Sequence, residues 1–199
     1  MKTKIYFTLI FLLAGAFIVK AQEVDELLSQ AGSSYKSGNT EDARFALQQA
    51  LNAINQAIGK DMLALMPDQL GGMDKIADED NVTGTDMGFA GLYVSRNYST
   101  EGKDASVEIV SDSPLLGGIN ALLSMPMLVS DPNQKRIKVD GKKALLSRSE
   151  SEDGPVSYEV QLVFGSSLFT FRTSGFDKEN EVTAMLDQIP VREIIEVAE

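Results

Sequence analysis

Between residues 24 and 58 apolar side chains return every three or four positions. The first series is Val24, Leu27, Leu28, Ala31 and Tyr35. After a break at Ser37-Gly38-Asn39 it resumes with Ala43, Ala46, Leu47, Ala50, Leu51, Ile54 and Ile58. This is the period of helices with one apolar stripe, so the spacing predicts a helical hairpin over 22–60. The pattern then lapses from 61 to 86. Residues 61–66 predict a last helical turn before Pro67, while Gly71-Gly72 and the polar run 78–86 predict a flexible connection.

From Gly88 onward the period drops to two. Strands are predicted near 89–99, 104–111, 135–140, 142–149, 156–164 and 167–173, joined mostly by short turns with Gly, Asp or Glu. The clearest has Tyr158, Val160, Leu162 and Phe164 on one face and Ser157, Glu159 and Gln161 on the other. Such a sheet must cover its apolar face. Ser113-Pro114 starts one helix, with Leu115, Leu116, Ile119, Leu122 and Leu123 as its stripe, and Asp177 starts another carrying Val182, Met185, Leu186 and Ile189 before Pro190. A short tail with Ile194 and Ile195 follows. The order β-β-α-β-β-β-β-α lacks the crossover helices of a parallel sheet. The predicted class is therefore α+β, an antiparallel sheet of about six strands covered by helices and preceded by the hairpin.

The first residues read as a leader. Lys2 and Lys4 precede the apolar stretch 5–19, Lys20 closes it, and Ala21 stands before Gln22. That pattern predicts a cleavable signal peptide over 1–21, too short to span a bilayer, and hence an exported protein, soluble in the periplasm or outside the cell. The expected division is signal peptide 1–21, hairpin 22–60 and α+β sandwich 61–199.

Two stretches resemble known groups. Leu28-x2-Ala31-Gly32-x2-Tyr35 followed by Ala43-x3-Leu47-x2-Ala50 is similar to one tetratricopeptide repeat with its turn one residue short. A solenoid needs about three repeats, so an amphipathic hairpin is the better reading. The segment from Ser111-Asp112-Ser113-Pro114 through the leucine-rich helix to Ser124-Met125-Pro126-Met127, with the later Gly141-x-x-Ala144, resembles a group of uncharacterised exported bacterial proteins. That resemblance spans about residues 61–190 and implies no activity. The strand order is similar to the PsbP-like sandwich at the level of fold.

Composition narrows the chemistry. The chain has no histidine and no cysteine, which removes Ser-His-Asp triads, Cys-His pairs, disulfides, thiolate sites and the ordinary zinc site. An enzyme would have to use carboxylates, Lys, Tyr or Ser. Loss of the leader removes Lys2, Lys4 and Lys20, moving the net charge from −11 to −14, a balance opposed to nucleic acid and anionic membranes. Ser33-x-x-Lys36 matches a serine acyl-enzyme pattern without its Lys-Thr-Gly partner and reads as coincidence. Asp78, Asp80, Asn81 and Asp86 could offer oxygens to calcium, but Val82, Thr83 and Phe89 stand where an EF-hand needs its ligand, glycine and glutamate, so a solvated acidic linker is expected. Met62, Met66, Met73, Met87, Met125 and Met127 could offer thioethers to copper(I), but methionine more often fills cores. Gly117-Gly118 inside a helix predicts a close approach there, by the sheet rather than by a ligand.

No catalytic, cofactor or metal set emerges. The leading expectation is a non-enzymatic envelope protein that binds a protein partner or a small apolar ligand. The alternatives are an assembly module docking through the hairpin and a carboxylate-dependent hydrolase. The segment around Ser124 and Pro126 cannot be one regular helix. Its Met125, Met127 and Leu128 are expected either to plug the core or to form a partly exposed lid beside Tyr93 or Tyr98.

Overall fold

The period-two segments become neighbours in one antiparallel sheet in a computed structural model, which describes residues 23–84, 91–111, 115–124, 132–150 and 154–199. Two compact units divide at residue 57, Met1–Ala57 and Ile58–Glu199.

The first unit is the hairpin. Helix α1 covers 23–36, and α2, Thr40–Leu65, runs on through the boundary into the second unit. Gly38, at φ 84°, takes the left-handed turn that ends α1. Asn39 starts α2: its side-chain oxygen accepts from the Asp42 amide at 3.3 Å and its amide donates back to the Asp42 carboxylate at 2.5 Å. Among the described residues of this unit the buried positions are all alanines: Ala31, Ala43, Ala46 and Ala50.

The second unit carries nine strands among the described residues: β1 Gln69–Leu70, β2 Met73–Lys75, β3 Asn81–Gly84, β4 Leu92–Thr100, β5 Lys103–Ser111, β6 Gln134–Val139, β7 Lys142–Ser149, β8 Ser157–Phe164 and β9 Ser167–Ser174. The sheet order is β1-β2-β4-β5-β9-β8-β7-β6, with β3 also paired to β4, and every pairing is antiparallel. Helices α3 Leu116–Ser124, α4 Glu179–Leu186 and α5 Val191–Ala198 complete it. The α+β class and the six long strands stand as expected. The extra strands β1 to β3 occupy the stretch predicted to be a connection, and the predicted tail is helix α5.

One face of the sheet is the main core. Val107, Ile109, Val160, Leu162, Phe169 and Phe171 pack with Val182 and Leu186 of α4, Ile194 and Ile195 of α5, and Met62 and Met66 at the end of α2. Met62, Met66 and Met73 are thus core residues, at most 2% exposed. Gly59 lets α2 come close to β3 and β4, because a Cβ there would lie 2.5 Å from Val82 Cγ1. Gly117 and Gly118 differ from expectation: a Cβ at either would meet nothing within 4 Å among the described residues, and both lie on the exposed side of α3. At the edge of the sheet, β6 carries Lys135, Arg136 and Lys138, charges that discourage pairing with another sheet.

Candidate functional site

The opposite face of the sheet is divided. At one end Ile119 and Leu123 of α3 pack on Leu145 and Leu168, forming a second small core. Arg136 on β6 secures that helix by donating to the Leu122 carbonyl at 2.5 Å. The other end is a polar trough.

Register creates the trough. Asn97 on β4 lies opposite Ser106 on β5, Ser106 opposite Arg172 on β9, Arg172 opposite Glu159 on β8, Glu159 opposite Ser147 on β7, and Ser147 opposite Gln134 on β6. Side chains two residues apart share a face, so the next line runs Ser99, Asp104, Ser174, Ser157, Ser149. Apart from Ser99, the residues of these lines floor a concavity of about 770 Å³, with Ile76 and Glu79 at its rim. Six strands at about 4.8 Å spacing make it about 24 Å long.

Arg172 stands in the middle of the floor. Its Nε donates to Glu159 at 2.5 Å and its Nη1 to Glu108 at 2.7 Å. Burial opposes the guanidinium charge, but the hydrogen bonds to Glu108 and Glu159 outweigh it and the pKa lies above the ordinary arginine value. The guanidinium on the trough floor is therefore already paired with carboxylates on both sides. At the rim, Asn97 Nδ2 donates to Glu79 at 2.9 Å, and Asp104 is exposed. The excess charge offered to solvent is negative, amid a field of serine hydroxyls.

The two tyrosines singled out from the sequence part company. Five residues apart on β4, they lie on opposite faces of the sheet. Tyr93 is half-buried on the α3 side, opposite Val110, while Tyr98 is 1% exposed on the core side and donates its hydroxyl to the Pro67 carbonyl at 2.8 Å. Burial pushes the Tyr98 phenol up to about 12. Met125, Met127 and Leu128 lie outside the described residues, as do Met87 and Asp86.

The acidic run 78–86 is engaged in structure where it is described. Ala77–Glu79 forms a 3-10 turn and residues 81–84 form β3. Asp80 holds Arg96, Glu79 accepts from Asn97, and the Asn81 side-chain Oδ1 accepts from the Thr83 hydroxyl at 2.6 Å. Among the described residues no group of three or more carboxylates converges as a metal site would require. Ser33, at the end of α1, donates its hydroxyl to the Gln30 carbonyl of its own helix.

No family model matches the chain, and no curated protein matches it. Among solved structures it is similar to the extracellular domain of PknH from Mycobacterium tuberculosis, at 9% identity and a TM-score of 0.33. The similarity covers 54% of this chain and 66% of that one, so the chain spans just under two thirds of that domain. Among the described residues no helix is long and apolar enough to cross a membrane.

Proposed function

We propose that this is an exported, non-enzymatic binding protein whose partner presents an extended, hydrogen-bonding and positively charged segment to the trough. The observation that carries the reading is the cross-strand line from Asn97 to Gln134 with Arg172 already bound to Glu108 and Glu159. Serine and amide groups offer both donors and acceptors along it. Asp104 and Glu79 supply the unbalanced charge. A length of about 24 Å accommodates about seven extended residues at 3.3 Å each. A lining of this kind favours a polar partner over a small apolar ligand.

The hydrolase alternative draws less support from the same geometry. Glu108 and Glu159 are the two carboxylates flanking Arg172 on the trough floor, but the guanidinium lies between them and uses both, where a scissile bond and its water would have to sit. Kinship with the uncharacterised exported group, resting on 111–127 and 141–144, belongs to the same proposal.

A pair of ten-residue peptides, alternating Lys-Ser and alternating Glu-Ser, tests the reading by amide chemical shifts of the labelled protein. The Lys-Ser peptide is expected to shift Ser106, Ser157 and Arg172, with an affinity that falls as salt rises and in the Asp104→Asn, Glu79→Gln variant. Equal shifts with both peptides, or none at about 1 mM, a concentration that would reveal even weak binding, would overturn it. Export is checked separately by N-terminal sequencing, which is expected to begin at Gln22.

A further inference from the structure

The helical unit exposes an apolar face that its own hairpin leaves uncovered. The buried alanines Ala31, Ala43, Ala46 and Ala50 mark the seam through which α1 and α2 meet. At about 100° per residue, Leu47, Leu51 and Ile54 form a second stripe on α2, rotated from that seam by about a quarter turn. Their spacing of four and three is that of alternate core positions in a coiled coil. On α1, Leu28 and Tyr35 stand one heptad apart on the corresponding flank. In an antiparallel hairpin, flanks displaced in the same sense from the seam open on the same side, so the five side chains make one face. They are exposed by 47% at Leu28, 70% at Tyr35, 47% at Leu47, 59% at Leu51 and 39% at Ile54.

Charge indicates what covers it. The chain is 24% charged with a net charge of −11, yet residues 27–35 and 45–59 contain no Asp, Glu, Lys or Arg. Gln48, Asn52 and Asn55 flank the stripe instead. A charged partner would find no complement on this face. A second copy of the same chain, which elsewhere repels its twin, meets here without like-charge opposition. A two-fold contact needs a patch complementary to itself, and a neutral apolar stripe with amide neighbours is one. Two copies joining these five side chains would bury on the order of 1,000 Å², the size at which specific interfaces begin. We propose that two copies of this chain pair through Leu28, Tyr35, Leu47, Leu51 and Ile54, their hairpins closing into a four-helix bundle.

Sedimentation of the full mature chain from about 5 to 500 µM tests this, a range that brackets the dissociation constant of an interface at the lower size limit. A monomer–dimer equilibrium is expected, with an affinity that does not weaken as salt rises. Leu51→Glu should weaken pairing at least tenfold, with helix content unchanged and, at concentrations low enough that the chain is monomeric, the melting temperature unchanged as well, because the position is exposed in the single copy. Mixing the Leu51→Glu chain with a Leu51→Lys chain should restore pairs. Phe45→Glu, an exposed position two residues from Leu47 and therefore across the helix, should leave pairing intact. A chain monomeric throughout the range, including one that instead binds another envelope protein through this face, would overturn the proposal. So would a dimer indifferent to Leu51→Glu or equally damaged by Phe45→Glu.

Discussion

The carboxylate of Asp80 accepts two hydrogen bonds from the guanidinium of Arg96, at 2.8 Å from Nε and 2.6 Å from Nη2. Arg96 points into the core face, 5% exposed, and its Nη1 donates to the Met66 carbonyl at 2.6 Å, just past the end of α2. One buried cation thus ties the acidic turn, β4 and the helix terminus together. Removing this doubly bonded partner leaves the cation only the exposed Asp68 carboxylate at 3.7 Å, at a cost of about 3 kcal/mol. Asp80→Ala is therefore expected to lower the urea midpoint sharply, and the double variant Asp80→Asn, Arg96→Met to recover part of the loss. A decrease below about 1 kcal/mol for Asp80→Ala would mean that the pair is solvated in solution.

Alkaline stability should depend on Tyr98. Burial raises its phenol to about 12, whereas in the unfolded chain it ionises near 10. The stabilisation is fully present below pH 10. Above it the unfolded state gives up its proton first, and stability falls as the pH rises through the folded value. Tyr98→Phe removes this limb at the expense of the hydrogen bond to Pro67, so the variant is expected to be weaker at pH 7 but to lose less between pH 10 and 12. Denaturant titrations across that range would show it, and parallel curves would refute it.

The same β4 residues show how far a sequence can be read. Leu92, Val94 and Tyr98 alternate with polar partners over nine residues, long enough for a period of two to be visible, and so do the five strands that follow. Strands β1 to β3 have two to four residues and lie in a polar stretch, so no period can emerge; β2 and β3 pair with β4, and β1 pairs with β2 in turn. Helix α5 has eight residues, and its Ile194 and Ile195 look like a tail until Val191 is seen buried with them. The trough was less legible still. Ser106, Glu159 and Ser147 read singly as a solvent face, and only register, which joins distant positions, brings them into line with Arg172.

The second unit should fold without the hairpin. Among the described residues its main core takes no side chain from before Ile58, and the end of α2 that supplies Met62 and Met66 lies inside the unit. A fragment of residues 58–199 is expected to show a cooperative urea transition and the circular dichroism of its sheet, whereas a fragment starting at Pro67 should not, having lost two core methionines worth about 2–5 kcal/mol each and the carbonyl that Arg96 caps. Loss of the cooperative transition in the longer fragment would show that the hairpin contributes to the core.

Glycine-to-alanine changes should have opposite signs in two helices. In an exposed helix interior the substitution stabilises by up to about 1 kcal/mol, because alanine loses less backbone entropy. Gly117 and Gly118 on α3 meet that condition, with no described atom within 4 Å of the new Cβ, and Gly117→Ala and Gly118→Ala are each expected to raise the melting temperature. Gly59 in α2 does not. Its new Cβ would lie 2.5 Å from Val82 Cγ1, 3.0 Å from Leu92 Cδ1 and 3.1 Å from Val94 Cγ2, so the helix must move off β3 and β4 and forfeit packing at its end. Overpacking of this kind costs about 1–3 kcal/mol, more than the entropy returned. Gly59→Ala should therefore destabilise, and combining it with Val82→Ala, which removes the closest methyl, should restore much of the loss by a double-mutant cycle. A stabilising Gly59→Ala would show that α2 does not approach the sheet as closely as its glycine allows.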